Sequence, residues 1–527
     1  MARFRHLLES LCSPTQGQGN TAFATALGCV CLALVAPFWI GDMTPLTDFG
    51  GHLQMVDAAV RLDEVDVLAE RLAVREGWLA PNLLPARLAE LLAPLATPLE
   101  VLRLFLSAVM LGLALALLLC LKVFGRSRHL IFLALPFSWG GMMGLGLINY
   151  VGVYPLFFAG IAWAYLAGRD GKRRHLLLLF GVTVLAFYMH GLGFVFVLGF
   201  AALSMTLAVD RRRHLWRLLS LLPGTLLWLS WLGCSGGGGG FVERAAKSIK
   251  YYDLEAKLGA FGSDGLDVLV GNADGFAFIV LTVAWLAWLL ARRPQGEPER
   301  KSRFERLRAR PLWVMALVAV AFVLLAPTYV GTILVDTRMV TPALILLCLL
   351  PRPLASLGHM RLLGAATAVT GLGLGLSLCA AADLFQEREI APLVDILQEL
   401  PRGQRAECVG VGKVDSLFKR RPLAHGCNGL IQVQRDGFAG GGFAYTPFNA
   451  VYFKSGHGYH SLRRRAWQRS GARKHWDYAV VRGDHKKPHP TLFERIAQRR
   501  SSHPLGTSWT LYKILRWERP ERASKGL

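Results

Sequence analysis

The sequence predicts a mainly α-helical, polytopic membrane protein with a small C-terminal α/β domain. The chain has 527 residues, of which 53% are hydrophobic and 18% are charged. Its mean hydropathy is +0.37, and a soluble domain of that composition would expose much of its apolar surface to water. Apolar runs of roughly 17–25 residues recur between residues 21 and 383, and each could cross a hydrocarbon core of about 30 Å. The expected architecture is a transmembrane helix bundle of about eleven spans.

The spans follow from the apolar runs and from the basic loops between them. The run 175–209 would be about 50 Å long as a single helix, which exceeds the bilayer. Basic segments flank it at 168–175 and 210–214, so the run crosses an even number of times and turns at "MHGLG" (189–193). The same argument divides 130–167 at "GLGLINY" (144–150). The predicted spans are 21–41, 101–121, 130–147, 149–167, 175–190, 191–209, 215–233, 275–291, 311–329, 338–351 and 361–382.

Lysine and arginine in the short loops predict the orientation. With these spans, one face carries the N-terminal "MARFRH", the loops 122–128, 168–175 and 210–217, the segment 292–310, and Arg352 with Arg361. By the positive-inside rule that face is cytoplasmic, so the N-terminus is inside and the chain after residue 383 is outside. The tail is also basic and contributes to the net charge of +23, but long domains translocate largely regardless of charge. We expect a multi-pass protein of the bacterial inner membrane, with membrane lipids rather than nucleic acid as partners.

Two exterior segments interrupt the transmembrane domain, which we assign to residues 1–383. The first, 42–100, contains an amphipathic pattern at 55–79 that predicts a helix lying at the membrane interface. The second, 234–274, begins with "CSGGGGG" (234–240), a flexible joint. A further amphipathic helix is predicted over 242–261, with Tyr251 and Tyr252 at the level of the lipid headgroups.

The remaining residues, 384–527, predict a separate exterior domain of mixed α/β class. Short strands are expected at 406–412, 477–483 and 508–517, and a helix at 390–401. Only two of the nine cysteines, Cys408 and Cys427, lie in this tail. Because an exterior domain is exposed to an oxidising compartment, we predict a disulfide between them.

Asp48 and His52 stand out in the stretch "TPLTDFGGHLQMVDAAVRL" (44–62), directly after the first span. A carboxylate and an imidazole four residues apart on a helix can share one substrate, proton or metal. The alternative is structural, because Asp48 is also well placed to cap a helix that begins near Phe49. His52 could equally be an interfacial histidine.

Five further polar residues fall on the same exterior rim of the predicted bundle. Ionisable groups at membrane depth are costly and usually line a cavity or a pathway. Each residue also has an ordinary explanation: a turn residue, a packed histidine, or a local ion pair between Asp336 and Arg338. Their convergence on one face favours a functional site. The five are Asn149 and Tyr150 in one hairpin turn, His190 in the next, and Asp336 and Arg338 in "VDTRM" (335–339).

This layout resembles the GT-C glycosyltransferases, which take a sugar from a polyprenyl-phosphate donor on the exterior face of a membrane. "DFGGHL" (48–53) resembles the acid and histidine of the family's first loop. "GLGLINYVGVYPLFFAGIAW" (144–163) resembles an Asn-Tyr-Gly hairpin of bacterial members. "DTRMVTPALILLCLLP" (336–351) resembles a late Asp/Arg-Tyr/Phe-x-x-Pro-Ala-Leu segment of the family.

The resemblance implies roles for these residues. Asp48 would deprotonate or orient the acceptor hydroxyl in an inverting transfer, and Arg338 would hold the departing phosphate. His52 and His190 would assist by hydrogen bonding or by holding a divalent metal. The first loop has no Asp-x-Asp pair, since Asp42 and Asp48 are six residues apart, so metal dependence stays open, as do the donor sugar and the acceptor.

Two other functions remain open at this stage. A transporter or flippase for an anionic lipid or glycan should show inverted repeats and broken helices at the bilayer midplane. No repeat is evident, and the polar residues gather at one rim, which favours the enzyme. The other alternative is a non-catalytic protein of envelope assembly.

Overall fold

The computed structural model describes residues 20–208, 214–234, 249–266, 268–291, 310–330, 333–354, 357–411, 417–440, 443–445, 449–454, 475–483 and 492–515. The chain divides into two compact units. The helical unit comprises residues 1–39, 77–85 and 103–381, and the C-terminal unit comprises 40–76, 86–102 and 382–527. The glycine-rich joint 235–248 and the basic segment 292–309 lie outside the described residues.

The helical unit has the composition of a membrane-spanning bundle. Among the described residues, six helices are long and apolar enough to cross a membrane, so the protein is a multi-pass membrane protein. The helices that lie wholly or mostly in this unit are Asn20–Val35, Pro98–Val123, Ile131–Ala134, Gly141–Gly144, Ile148–Val151, Val153–Asp170, Arg173–Met189, Gly191–Ala208, His214–Leu218, Leu222–Cys234, Leu254–Ser263, Ala273–Leu290, Pro311–Leu325, Val340–Cys348 and Leu357–Phe385.

Small residues allow the central helices to approach one another closely. Val153–Asp170 packs against both Arg173–Met189 and Gly191–Ala208. A Cβ atom on Gly193 would lie 2.7 Å from Val153, and one on Gly168 would lie 2.8 Å from the carbonyl oxygen of Met205. Such contacts are typical of helix packing in membranes, where tight van der Waals contact replaces the hydrophobic driving force.

The predicted division of the run 175–209 is confirmed. Arg173–Met189 ends at His190, whose backbone is extended, and Gly191–Ala208 follows at once. By contrast, the predicted span 130–147 is not one helix. It is a series of turns, Arg128–Leu130, Ile131–Ala134, Leu135–Trp139 and Gly141–Gly144. Pro136 and the glycines after it explain the breaks, because proline lacks a backbone N–H and glycine favours no single conformation.

The C-terminal unit is built on a mixed five-stranded sheet. Its strands, in spatial order, are Phe438–Ala439, Arg405–Val409, Tyr478–Arg482, Ser508–Ile514 and Phe493–Arg500. The first three are parallel to one another and the others pair antiparallel. The three predicted strands are therefore confirmed, as is the helix near 390–401, seen at Ala391–Leu397 after a wide turn at Gln386–Ile390. The helix Leu423–Arg435 and the strand Phe493–Arg500 were not predicted.

The predicted disulfide is also confirmed. Cys408 in the strand Arg405–Val409 is bonded to Cys427 in the helix Leu423–Arg435. Their Cα atoms are 6.2 Å apart. The bond ties the helix to the sheet.

The first exterior segment differs from the sequence prediction. Residues 55–79 do not form one interfacial helix: Phe49–Arg61 and Asp66–Arg71 are helical, and Leu72–Val74 is a strand paired with Val451–Phe453. The apolar face of this segment lies in the core of the C-terminal unit rather than at a lipid surface. That core contains Met55, Ala58, Val65, Leu68 and Leu72 together with Val409, Phe438, Trp476 and Val481. Amphipathic periodicity shows that a face is buried but not what buries it.

The second exterior segment is described from residue 249. Ile249–Lys250 pairs with Tyr329–Val330 in a three-stranded sheet completed by Ile333–Leu334. The helix Leu254–Ser263 begins at Asp253, whose side chain accepts a hydrogen bond from the backbone N–H of Ala256. The predicted helix is therefore shorter than expected, because Ile249 and Lys250 are extended.

Candidate active site

Three of the residues predicted for the exterior rim form one cluster in the helical unit. Arg338 Nη1 lies 2.8 Å from His190 Nε2. The Arg338 guanidinium also stacks on Tyr150, with its central carbon 4.9 Å from the ring centroid. Tyr150 donates its hydroxyl hydrogen to the Arg338 carbonyl oxygen at 2.8 Å, and its ring meets the His190 ring edge-on at 5.3 Å. Arg338 and Tyr150 are buried, so the guanidinium is held in one orientation.

The hydrogen bonds of His190 indicate which of its ring nitrogens carries a proton. His190 follows the last residue of Arg173–Met189, and its Nδ1 accepts the backbone N–H of Gly193 at 3.1 Å. A neutral imidazole accepts at one nitrogen only, so Nε2 carries the proton. Arg338 offers only N–H groups. The two groups lie side by side in the cluster, so one acceptor placed against both, above all an anion, could bind them together.

Asn149 and Asp336 have different surroundings. Asn149 is buried and, within the described residues, its Oδ1 makes no hydrogen bond, which is costly unless a ligand or water supplies a donor. Asp336 accepts hydrogen bonds from Thr328 Oγ1 and from the Thr337 N–H, at 2.8 and 2.6 Å. It also lies 3.4 Å from the buried Lys257 ammonium. The ion pair that the sequence suggested between Asp336 and Arg338 is therefore formed between Asp336 and Lys257 instead. In this position Asp336 anchors its loop.

Asp48 and His52 lie in the C-terminal unit, at the start of the helix Phe49–Arg61. Asp48 directly precedes the helix, but its side chain makes no capping hydrogen bond. Instead, Asp48 Oδ1 lies 3.5 Å from Nε2 of His425 in the tail helix Leu423–Arg435. The Asp48 side chain keeps 18% of its surface exposed, so it is not sealed in the core. Asp48 thus occupies the N-cap position that the sequence predicted, but without the capping hydrogen bond from its side chain.

The two glycines of "DFGGHL" explain how the tail helix comes so close. A Cβ atom on Gly50 would lie 2.2 Å from the His425 carbonyl oxygen, and one on Gly51 would lie 2.9 Å from the Phe443 ring. On the other helix, a Cβ on Gly429 would lie 2.8 Å from the Gly50 carbonyl oxygen. The two helix backbones are in direct contact, which only residues without a side chain allow.

His52 is enclosed in the same place. Its ring lies 4.9 Å from the Phe443 ring, which also contacts His425 at 5.8 Å. Burial, and secondarily the nearby charge of His425, lowers the pKa of His52 to about 3. His52 is therefore neutral at physiological pH and cannot act as a cationic phosphate ligand, but its N–H can still donate a hydrogen bond.

His425 was missed by the sequence analysis. It lies 377 residues after Asp48 in the chain by their numbers, and "PLAHGCNG" (422–429) matches no catalytic pattern. Only the close contact of two glycine-containing helices brings it to the carboxylate. No group of three or more His, Cys, Asp or Glu residues that could hold a metal ion occurs in the part of the chain that the structure describes.

No protein-family model matches the sequence, and no curated protein matches it either. Solved structures do match. ArnT from Cupriavidus metallidurans bound to undecaprenyl phosphate superposes with a TM-score of 0.50 over 93% of this chain and 97% of that chain, at 11% sequence identity. The chain therefore has the fold of this ArnT structure.

Two structures of the mycobacterial arabinofuranosyltransferase AftD are also similar to this chain. A mutant form, R1389S, matches with a TM-score of 0.49 at 13% identity, over 95% of this chain and 42% of that chain. Another AftD structure matches with a TM-score of 0.44 at 14% identity, over 95% of this chain and 40% of that chain. The expected fold, a helical membrane bundle with a small C-terminal sheet region, is confirmed by the structure and by the match to ArnT.

Proposed function

We propose that this protein is an integral membrane glycosyltransferase. It transfers a sugar from a polyprenyl-phosphate donor to an acceptor in the bacterial envelope, on the exterior face of the membrane. The GT-C fold supports this class, and the similar ArnT structure is bound to undecaprenyl phosphate. The single observation that carries the proposal is the cluster of Arg338, His190 and Tyr150, in which the guanidinium lies 2.8 Å from His190 Nε2 and stacks on the Tyr150 ring.

A phosphate is the ligand that suits this pair best. Its oxygens can accept from the guanidinium and from the imidazole N–H at once, and charge-assisted bonds of this kind are roughly twice as strong as neutral ones. Tyr150 holds the guanidinium from one face, so little side-chain freedom is lost on binding. The Asn149 amide, whose buried Oδ1 has no hydrogen-bond partner in the part of the chain that the structure describes, would bind a hydroxyl of the sugar or of the lipid phosphate.

Asp48 supplies the second role, that of general base. The acceptor hydroxyl transfers its proton to the Asp48 carboxylate while its oxygen forms a bond to C1 of the sugar. The bond between C1 and the phosphate oxygen breaks, and its electron pair leaves with the polyprenyl phosphate. Attack opposite the leaving group inverts the configuration at C1. His52, held neutral, would donate a hydrogen bond to the acceptor.

The test uses the purified full-length protein in vesicles that contain labelled undecaprenyl-phosphate pentoses and hexoses. The proposal expects protein-dependent release of undecaprenyl phosphate from at least one donor. Movement of an intact labelled lipid between leaflets without cleavage would instead support a flippase. If neither occurs with any donor in the presence of an envelope extract as acceptor, the glycosyltransferase proposal is wrong.

A further inference from the structure

We infer that His425 of the tail helix is a positioning residue for Asp48: it holds the carboxylate in the orientation in which it meets the acceptor. This inference rests on the proposed function, in which Asp48 is the base. It assigns part of the active centre to the C-terminal half of the chain, in which sequence analysis identified no site residue. The tail is then a component of catalysis and not only an appended domain.

The contact between the two side chains has the geometry that this role needs. Nε2 of His425 is 3.5 Å from Oδ1 of Asp48, a distance that is long for a hydrogen bond and within the range of an ion pair. Catalytic hydrogen bonds are often long without substrate and tighten when it binds. The two side chains keep 26% and 18% of their surfaces exposed, so the pair is neither sealed in the core nor free in solvent.

The surrounding contacts fix His425 relative to Asp48. The His425 carbonyl oxygen is in contact with Gly50, two residues after Asp48. On the other side of Asp48, Thr47 Oγ1 accepts the backbone N–H of Arg421 at 3.0 Å. The tail segment therefore touches the first loop on both sides of the carboxylate. The Phe443 ring lies against the His425 ring and limits its rotation.

A fixed carboxylate matters for a base more than for a helix cap. Proton transfer from the acceptor requires Asp48 within hydrogen-bond reach of the hydroxyl, and errors of about 1 Å cost on the order of 100-fold in rate. The contact of His425 with Oδ1 restrains rotation of the Asp48 carboxylate. An imidazole N–H also stabilises the ionised carboxylate, which is the form that acts as a base.

The decisive variants are His425→Leu and His425→Gln in the full-length protein. Leucine keeps bulk against Phe443 but removes the donor, whereas glutamine places an amide N–H close to the position of Nε2. With the undecaprenyl-phosphate sugar that the wild type consumes fastest, we expect His425→Leu to lower kcat about tenfold or more with little change in donor KM. His425→Gln should restore kcat to within about threefold of wild type. His503→Gln, at a histidine that contacts Arg388 instead, is the matched control and should have no effect.

A double variant separates positioning from a general loss of structure. If His425 acts through Asp48, adding His425→Leu to Asp48→Asn should cause no further loss, because the base is already gone. Activity of His425→Leu equal to wild type, a His425→Gln enzyme as poor as His425→Leu, or additive losses in the double variant would each overturn the inference. An active Asp48→Asn enzyme would instead overturn the proposed base, whatever His425 does.

Discussion

In the proposed site, Arg338 is oriented for an anion before any ligand arrives. Its guanidinium is stacked on Tyr150 and faces an imidazole N–H, so the donors are already aligned. Arg338→Lys keeps the charge but loses the planar fork. We expect about a tenfold rise in the KM for the labelled donor, or a similar fall in kcat/KM. Arg352→Lys, at an exposed arginine of the same unit, is the control.

Unchanged kinetics in Arg338→Lys would show that this arginine does not bind the donor phosphate.

The sequence identified Arg338, His190 and Tyr150 because each lies in or beside a turn between apolar runs, where polarity is conspicuous. It could not identify His425, since nothing in the residues around 425 differs from an ordinary amphipathic helix. The contact exists only because two distant helices pack through glycine.

Glu407 is a buried acid of the C-terminal unit, and its protonation should make the stability of the unit depend on pH. Burial raises the pKa of its carboxyl to about 8, although it accepts the Gly440 N–H at 3.0 Å. The folded protein therefore holds a proton that the unfolded chain, with a pKa near 4.5, releases. Stability contributed by this group is complete below about pH 4.5 and is lost as the pH rises through 8.

Glu407→Gln should remove this dependence, because the amide resembles the protonated acid. Between about pH 6.5 and 8, where the buried His52 is already neutral when folded and mostly neutral when unfolded, the wild-type C-terminal unit should lose up to a few kcal/mol of unfolding free energy. The variant should lose much less. Hydrogen exchange of the full-length protein in detergent measures this, and identical slopes for the two proteins would contradict the account.

At the scale of elements, the contact between Phe49–Arg61 and Leu423–Arg435 depends on glycine. A methyl group on Gly50 would overlap the His425 carbonyl oxygen, and backbone cannot yield as a flexible side chain can. We expect Gly50→Ala to destabilise the C-terminal unit by about 1–3 kcal/mol and to lower transfer. In Gly259→Ala a Cβ would have open space within a helix, so this control should be neutral or slightly stabilising.

Limited proteolysis of the tail compares the two alanine variants directly. If Gly50→Ala and wild type resist proteolysis equally, the two helices do not meet as described.

The strands around 406–412, 477–483 and 508–517 were predictable because period-2 patterns are local. The structure of 55–79 was not, because its apolar face could equally have met lipid, and only the strand Leu72–Val74, paired with a distant tail strand, shows its true partner.

At the scale of the whole molecule, the orientation in the membrane remains a prediction from charge. The short loops place the N-terminus in the cytoplasm and the tail outside, and the Cys408–Cys427 disulfide suits an oxidising compartment. An alkaline phosphatase fusion after residue 400 should be active and one after residue 300 inactive. The reverse pattern would place Asp48 on the cytoplasmic side, where the proposed reaction does not occur.

The claim that the protein catalyses sugar transfer with Asp48 as its base is tested most directly by one comparison. Release of undecaprenyl phosphate from the labelled donor is measured for wild type, Asp48→Asn and Asp42→Asn in the same vesicles. The amide keeps the shape of Asp48 but cannot take a proton, so Asp48→Asn should lose at least about 100-fold in rate while its disulfide still forms. Asp42→Asn, in the same loop, should stay near wild type. Full activity in Asp48→Asn would contradict the account.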